Sequence, residues 1–171
     1  MERTLKVLVA AVFAAATLFF SPSLHAQDPP PGGFKNAFLT LGKSGKVGLT
    51  YTRWDEQVKK GNHTLCFFWA SWSDEAREEL PYILAINKKY AGKVKVLGVT
   101  YGDEIQDSMD AISEWGITFP SFVFVEDADP DGRFDIDTIP TIILFGPDGS
   151  VVARDMRGDE IGKTITNLLS D

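Results

Sequence analysis

Hydrophobic and polar positions in this chain change period several times, and each change predicts an element. In "FLTLGKSGKVGLTYT", Phe38 to Thr52, two alternating stretches flank Gly42 to Gly45, the signature of a short hairpin. Val47, Leu49 and Tyr51 fall on one face of its second strand. Thr52, with Asp55 three residues on, fits a capping box that starts a short helix around Trp54 and Val58, ended by Gly61 and Asn62. Thr64 to Trp69 is apolar without alternation, as suits a strand buried on both faces. From about Ser73 to Tyr90 the spacing becomes helical, with Ala76, Leu80, Ile83, Leu84 and Tyr90 on one stripe. Pro81 lies inside that pattern and is expected to kink the helix without ending it.

Downstream, "VKVLGVT" reads as a strand, "EIQDSMDAISEW" as a helix and "SFVFV" as an apolar segment. The chain closes with "TIILFGPDGSVVARD", two strands about a "GPDG" turn, and a helix around "EIGKTITNLL". No internal repeat is apparent. Strands and helices in this order predict a single α/β domain, a mixed central β-sheet with helices on both faces.

Length and charge sharpen that picture. A chain of 171 residues holds one domain with a sizeable core. Arg3 and Lys6, an apolar run from Val7 to Phe20 and "LHA" before Gln27 have the form of a secretory signal peptide, residues 1–26. The run is short for a bilayer span, so no stable membrane insertion is expected after cleavage, and a periplasmic or otherwise secreted location is. Residues 27–37, beginning "QDPPPGG", read as an extended leader, and 38–171 as the folded domain. Removing residues 1–26 takes away a net +1 and leaves a formal charge of −8. That acidic balance, without a basic patch, excludes a nucleic-acid partner. Cys66 is the only cysteine, so no intramolecular disulfide can form.

The stretch "LCFFWASWSDEAREELPYI", Leu65 to Ile83, resembles the active-site strand and helix of the thioredoxin superfamily, in its secreted TlpA/ResA-like branch of thiol–disulfide oxidoreductases. "WASW" and "REELPYI" fit that branch, and "TIPTIILFGPDGSVV", Thr138 to Val152, is similar to its cis-proline segment and following hairpin. The resemblance runs from about Phe38 to Leu169 and implies a three-layer sandwich. It also implies that the two redox cysteines of active members correspond to Ser73 and Ala76. Those members need a thiolate to attack the substrate disulfide and a second thiol to resolve the mixed disulfide. Neither Ser73 nor Ala76 supplies one. The acidic or polar residue that many members carry inside the strand corresponds to Phe67. Canonical dithiol chemistry is therefore expected to be absent, and no cofactor is implied.

Ser73 suits a helix N-cap, with Asp74 and Glu75 favourable at the positive end of the helix dipole. As a hydrolytic nucleophile Ser73 lacks a partner, because His63, the one histidine after residue 26, falls at the far end of the central strand. Cys66 reads as a small core hydrophobe, with an atypical single-thiol reactivity as the alternative. By the resemblance, Trp72, Ser73, Asp74, Phe119, Ile139 and Pro140 border a groove for an extended peptide or protein partner, Trp69 being either groove or core. A purely structural or accessory role is the further alternative. Asp127, Asp129, Asp131 and Asp135 space like the start of a calcium loop around Gly132, but Thr138 stands where the bidentate glutamate belongs. A solvated acidic loop is the default there, and no metal is expected.

Overall fold

A computed structural model of the chain describes residues 36–58, 61–124 and 134–170. The expected signal peptide, most of the leader and Asp127, Asp129 and Asp131 lie outside the described residues. Two residues assigned to the leader, Asn36 and Ala37, already pair in the first strand. Strands β1 (Asn36–Leu41) and β2 (Val47–Thr52) form the expected hairpin, closed by Gly42 N–H to Lys46 O and Gly45 N–H to Gly42 O, each 2.9 Å.

The short helix α1 (Trp54–Gln57) starts one residue later than the sequence pattern suggests. Thr52 is still paired with Asn36 as the last residue of β2, so Arg53 becomes the cap position. Glu56, three residues after Arg53, closes the turn. Its carboxylate accepts the Thr52 hydroxyl at 2.8 Å and the Arg53 N–H at 3.3 Å.

Then follow β3 (His63–Trp69), α2 (Asp74–Lys89), β4 (Val94–Tyr101), α3 (Ile105–Trp115) and β5 (Ser121–Phe124). β6 (Thr141–Phe145), β7 (Val151–Arg154) and α4 (Asp159–Leu168) complete the chain. The sheet order is β2-β1-β5-β4-β3-β6-β7. β4 runs parallel to β3 and β5, and every other neighbouring pair is antiparallel, giving a mixed sheet. α2 continues through Pro81 to Lys89.

Central β3 decides which residues face which layer. Leu65, Phe67 and Trp69 point to the face packed by Ala76, Leu80 and Ile83 of α2, Ile112 of α3 and Ile161 and Ile165 of α4. Cys66 and Phe68 point to the opposite face, among Trp54 of α1 and Phe122, Phe134 and Phe145. Both faces of β3 are dry, which is why its sequence shows no alternation. At the sheet edge the pattern is less decisive. Val47, Leu49 and Tyr51 do share a face, yet Leu49 and Tyr51 remain 41% and 60% exposed because β2 has only one neighbour.

Candidate functional site

Four loops meet at the end of the sheet where β3 stops. Register places Thr141 of β6 beside Phe68, so the preceding Ile139–Pro140 bond, which is cis, lies next to the end of β3. The Thr141 hydroxyl donates to Thr138 O at 2.6 Å, fastening that turn to itself. Arg157 Nη2 donates to Pro140 O at 2.7 Å and Nη1 to Met156 O at 2.8 Å. Gly158 N–H donates to the Glu79 carboxylate at 2.8 Å, tying the start of α4 to α2.

On the other side, Asp103 holds the loop after β3. Its carboxylate accepts the Ser71 N–H at 2.9 Å and the Ser71 hydroxyl at 3.0 Å. Ser108 Oγ lies 3.4 Å from the same carboxylate and 3.1 Å from Thr100 Oγ1, and the Thr100 hydroxyl reaches Phe122 O at 3.3 Å. Burial pushes the Asp103 carboxyl above the usual carboxylate range; the bonds from Ser71 and Ser108 pull it back, and nearby Asp107 adds to the rise. Sequence reasoning missed this clamp. Asp103 follows a strand end as any loop acid does, and its partner is 32 residues away.

Between these fastenings the chain turns into α2. Ser73 N–H donates to Ala70 O at 3.1 Å, and Ser73 is buried as the N-cap, its Oγ accepting the Ala76 N–H at 3.1 Å. The same hydroxyl donates to Glu75 at 3.3 Å. Ala76 is fully buried, Asp74 and Glu75 are exposed, and Trp72 stands 63% exposed. Ser73 Oγ is thus committed to the helix start, and His63 is at the opposite end of β3, the first residue of that strand.

Of the expected groove residues, Phe119 requires correction. It is 1% exposed and packs edge-on against Phe67 at 6.3 Å, ahead of the start of β5, so it belongs to the core and not to this surface. Trp69 is likewise a core residue, fully buried against Trp115 with ring centroids 5.5 Å apart. Pro140 is buried and Ile139 half-buried. Of the expected groove residues, Trp72 and Ile139 are therefore the apolar ones that reach solvent.

Cys66 belongs to the other layer. It is fully buried, and the loss of solvation pushes its thiol far above the ordinary range, with Lys95 pulling weakly the other way. α2 packs on the face of the sheet that Cys66 does not point to. Of the calcium candidates only Asp135 is described. It has φ +54°, its carboxylate lies 3.7 Å from Arg154 Nη1, and its carbonyl accepts Arg154 Nη2 at 2.6 Å. Among the described residues no group of His, Cys, Asp and Glu is placed to hold a metal ion.

A mixed sheet packed on both faces, with a helix starting where its central strand ends and a cis-proline turn beside it, defines a thioredoxin-like α/β domain. The family model described as thioredoxin-like matches residues 61–151, and the chain belongs to that family. It is 27% identical over 94 residues to the thiol-disulfide oxidoreductase ResA of Bacillus subtilis, covering 54% of this chain and 52% of that protein. It is 26% identical over 98 residues to the thioredoxin-like protein YneN of the same organism, 56% of each. The chain thus spans about half the length of the curated relatives it matches. Among solved structures, the thioredoxin domain of a thiol-disulfide oxidoreductase from Bacteroides vulgatus superposes with a TM-score of 0.61 at 24% identity, covering 82% of this chain and 99% of that one. A thiol:disulfide interchange protein from Bacteroides sp. gives 0.67 at 22% identity, covering 86% and 90%. At these identities the structural likeness speaks for the fold.

Proposed function

We propose that this protein is a redox-inactive thioredoxin-like domain that binds an extended peptide or protein segment beside the Trp72–Ser73 and Ile139–Pro140 loops. Ser73 and Ala76 stand, on this reading, where active relatives carry their two redox cysteines. The observation that carries the reading is the division between the two layers: the helix start is occupied by a capping hydroxyl, while the single thiol is sealed into the opposite face of the sheet. A thiolate works as a nucleophile only when it is accessible and its pKa is low, and Cys66 is neither. What supports binding is an exposed tryptophan on a loop clamped from behind by Asp103. An aromatic carried on a fastened loop contributes contact area at a reduced backbone-ordering cost.

Residues 1–26 are proposed as a cleaved signal peptide, with the chain from Gln27 acting in the periplasm or outside the cell; sequencing the amino terminus of exported protein tests this. The binding function is tested with an immobilised library of extended octapeptides. Wild-type protein is expected to retain a subset of sequences, and Trp72→Ala, a surface change that leaves the core intact, is expected to retain none of them. Equal retention by both proteins would remove this site from the account and favour a structural or accessory role.

A further inference from the structure

The surface around Trp72 also says what kind of peptide it fits. Asp74 and Glu75 lie two and three residues after Trp72, in the first turn of α2, and both are exposed. Glu104 occupies the N-cap position of α3, without a side-chain capping bond, one residue after the Asp103 that binds Ser71, and Asp137 lies two residues before Ile139. Loop connections therefore bring four exposed carboxylates to the same end of the sheet as the exposed indole. None of the four is ion-paired among the described residues. Among the described residues, the arginines nearest this region are already engaged. Arg157 is fastened to Pro140 O and Met156 O, and Arg77 is drawn away to Glu114 at 3.3 Å and over the Trp115 ring at 5.5 Å. The positive end of the α2 dipole amounts to about half an elementary charge, which the two carboxylates of its first turn outweigh.

An exposed aromatic face at a sheet end that also carries these carboxylates attracts a cationic side chain twice over, through the ring quadrupole and through the local charge. We infer that the segment bound beside Trp72 and Ile139 is a basic one, an extended peptide presenting a lysine or arginine side chain to the Trp72 ring between Asp74, Glu75, Glu104 and Asp137. This inference rests on the peptide-binding reading above and adds the chemistry of the partner. Acidic peptides, nucleic acid and anionic lipid surfaces would be repelled by the same charges.

The test uses three octapeptides of alternating threonine and valine bearing two lysines, two glutamines or two glutamates, each with an uncharged fluorophore. Their affinity for the chain from Gln27 onward is read by fluorescence anisotropy at low and high salt. The lysine peptide is expected to bind about fivefold or more tighter than the glutamine peptide, and the glutamate peptide most weakly. High salt should compress these differences, because exposed charges are screened. Asp74→Asn combined with Glu75→Gln, checked for folding by circular dichroism, should lower the lysine-to-glutamine ratio about twofold or more, Glu104, Asp137 and the ring retaining the remainder. Binding that requires Trp72 but shows no lysine preference, or a preference that the double substitution leaves undiminished, would overturn the basic-peptide assignment and leave peptide capture standing. No Trp72-dependent binding of any of the three would overturn both.

Discussion

Gly98 lies in β4 where the strand passes between Trp69 and Ser121. A Cβ added there would sit 2.8 Å from Trp69 Nε1 and 3.0 Å from Ser121 Cβ, and it would collide with Ser121 Oγ. The constraint is space, since the backbone at Gly98 lies outside the left-handed region. Gly98→Ala is expected to destabilise the fold by about 1–3 kcal/mol through overpacking, read as a lower urea midpoint. Adding Ser121→Ala removes the hydroxyl and should recover part of the loss; strict additivity of the two changes would contradict this geometry. Residue-scale detail of this sort was only partly legible in the sequence. The burial of Cys66 was, because its strand lacks polar residues between Leu65 and Trp69. Phe119 was not: an aromatic before Pro120 reads equally as groove or core, and only its contact with Phe67 distinguishes the two.

Among the elements, the helix α2 and the loop before it are held by Ser73 from within and Asp103 from outside. Asp103→Ala would leave the Ser71 N–H without its charged acceptor and is expected to cost about 2 kcal/mol. The titration of Asp103 gives a separate signature. Its folded pKa is raised, so the folded protein holds this proton more tightly than the unfolded chain does. The stability associated with that proton is full below the unfolded value and is lost as pH rises through the folded one. Asp103→Asn keeps an acceptor for Ser71 but cannot titrate. The melting temperature of wild type relative to Asp103→Asn should therefore fall with rising pH across that interval; a flat or rising difference would contradict the burial effect. Hairpins, the continuous β3 and the stripe of α2 could be read locally, since each rests on period or turn chemistry within a few residues. The Ser71–Asp103 clamp and the Glu79–Gly158 tie join distant segments, and no local pattern announces them. Even the shift in α1 has this origin, because pairing of Thr52 with Asn36 outcompeted its use as a cap.

Across the whole molecule, the sheet separates what a thiol–disulfide enzyme must bring together. The helix start, the cis-proline turn and Trp72 gather at the end of β3, with α2 on one face; the sulfur is enclosed by aromatic rings on the other. That separation follows from alternation along β3, in which Cys66 and Phe67 necessarily point to opposite layers. Thiol–disulfide exchange with a mixed-disulfide reporter, following turnover and modification of Cys66 in the same sample, tests the proposed redox inactivity most directly. The expected result is no turnover above the protein-free rate, with Cys66 unmodified until the protein is denatured. Turnover that disappears in Cys66→Ala would contradict the account and establish a single-cysteine oxidoreductase.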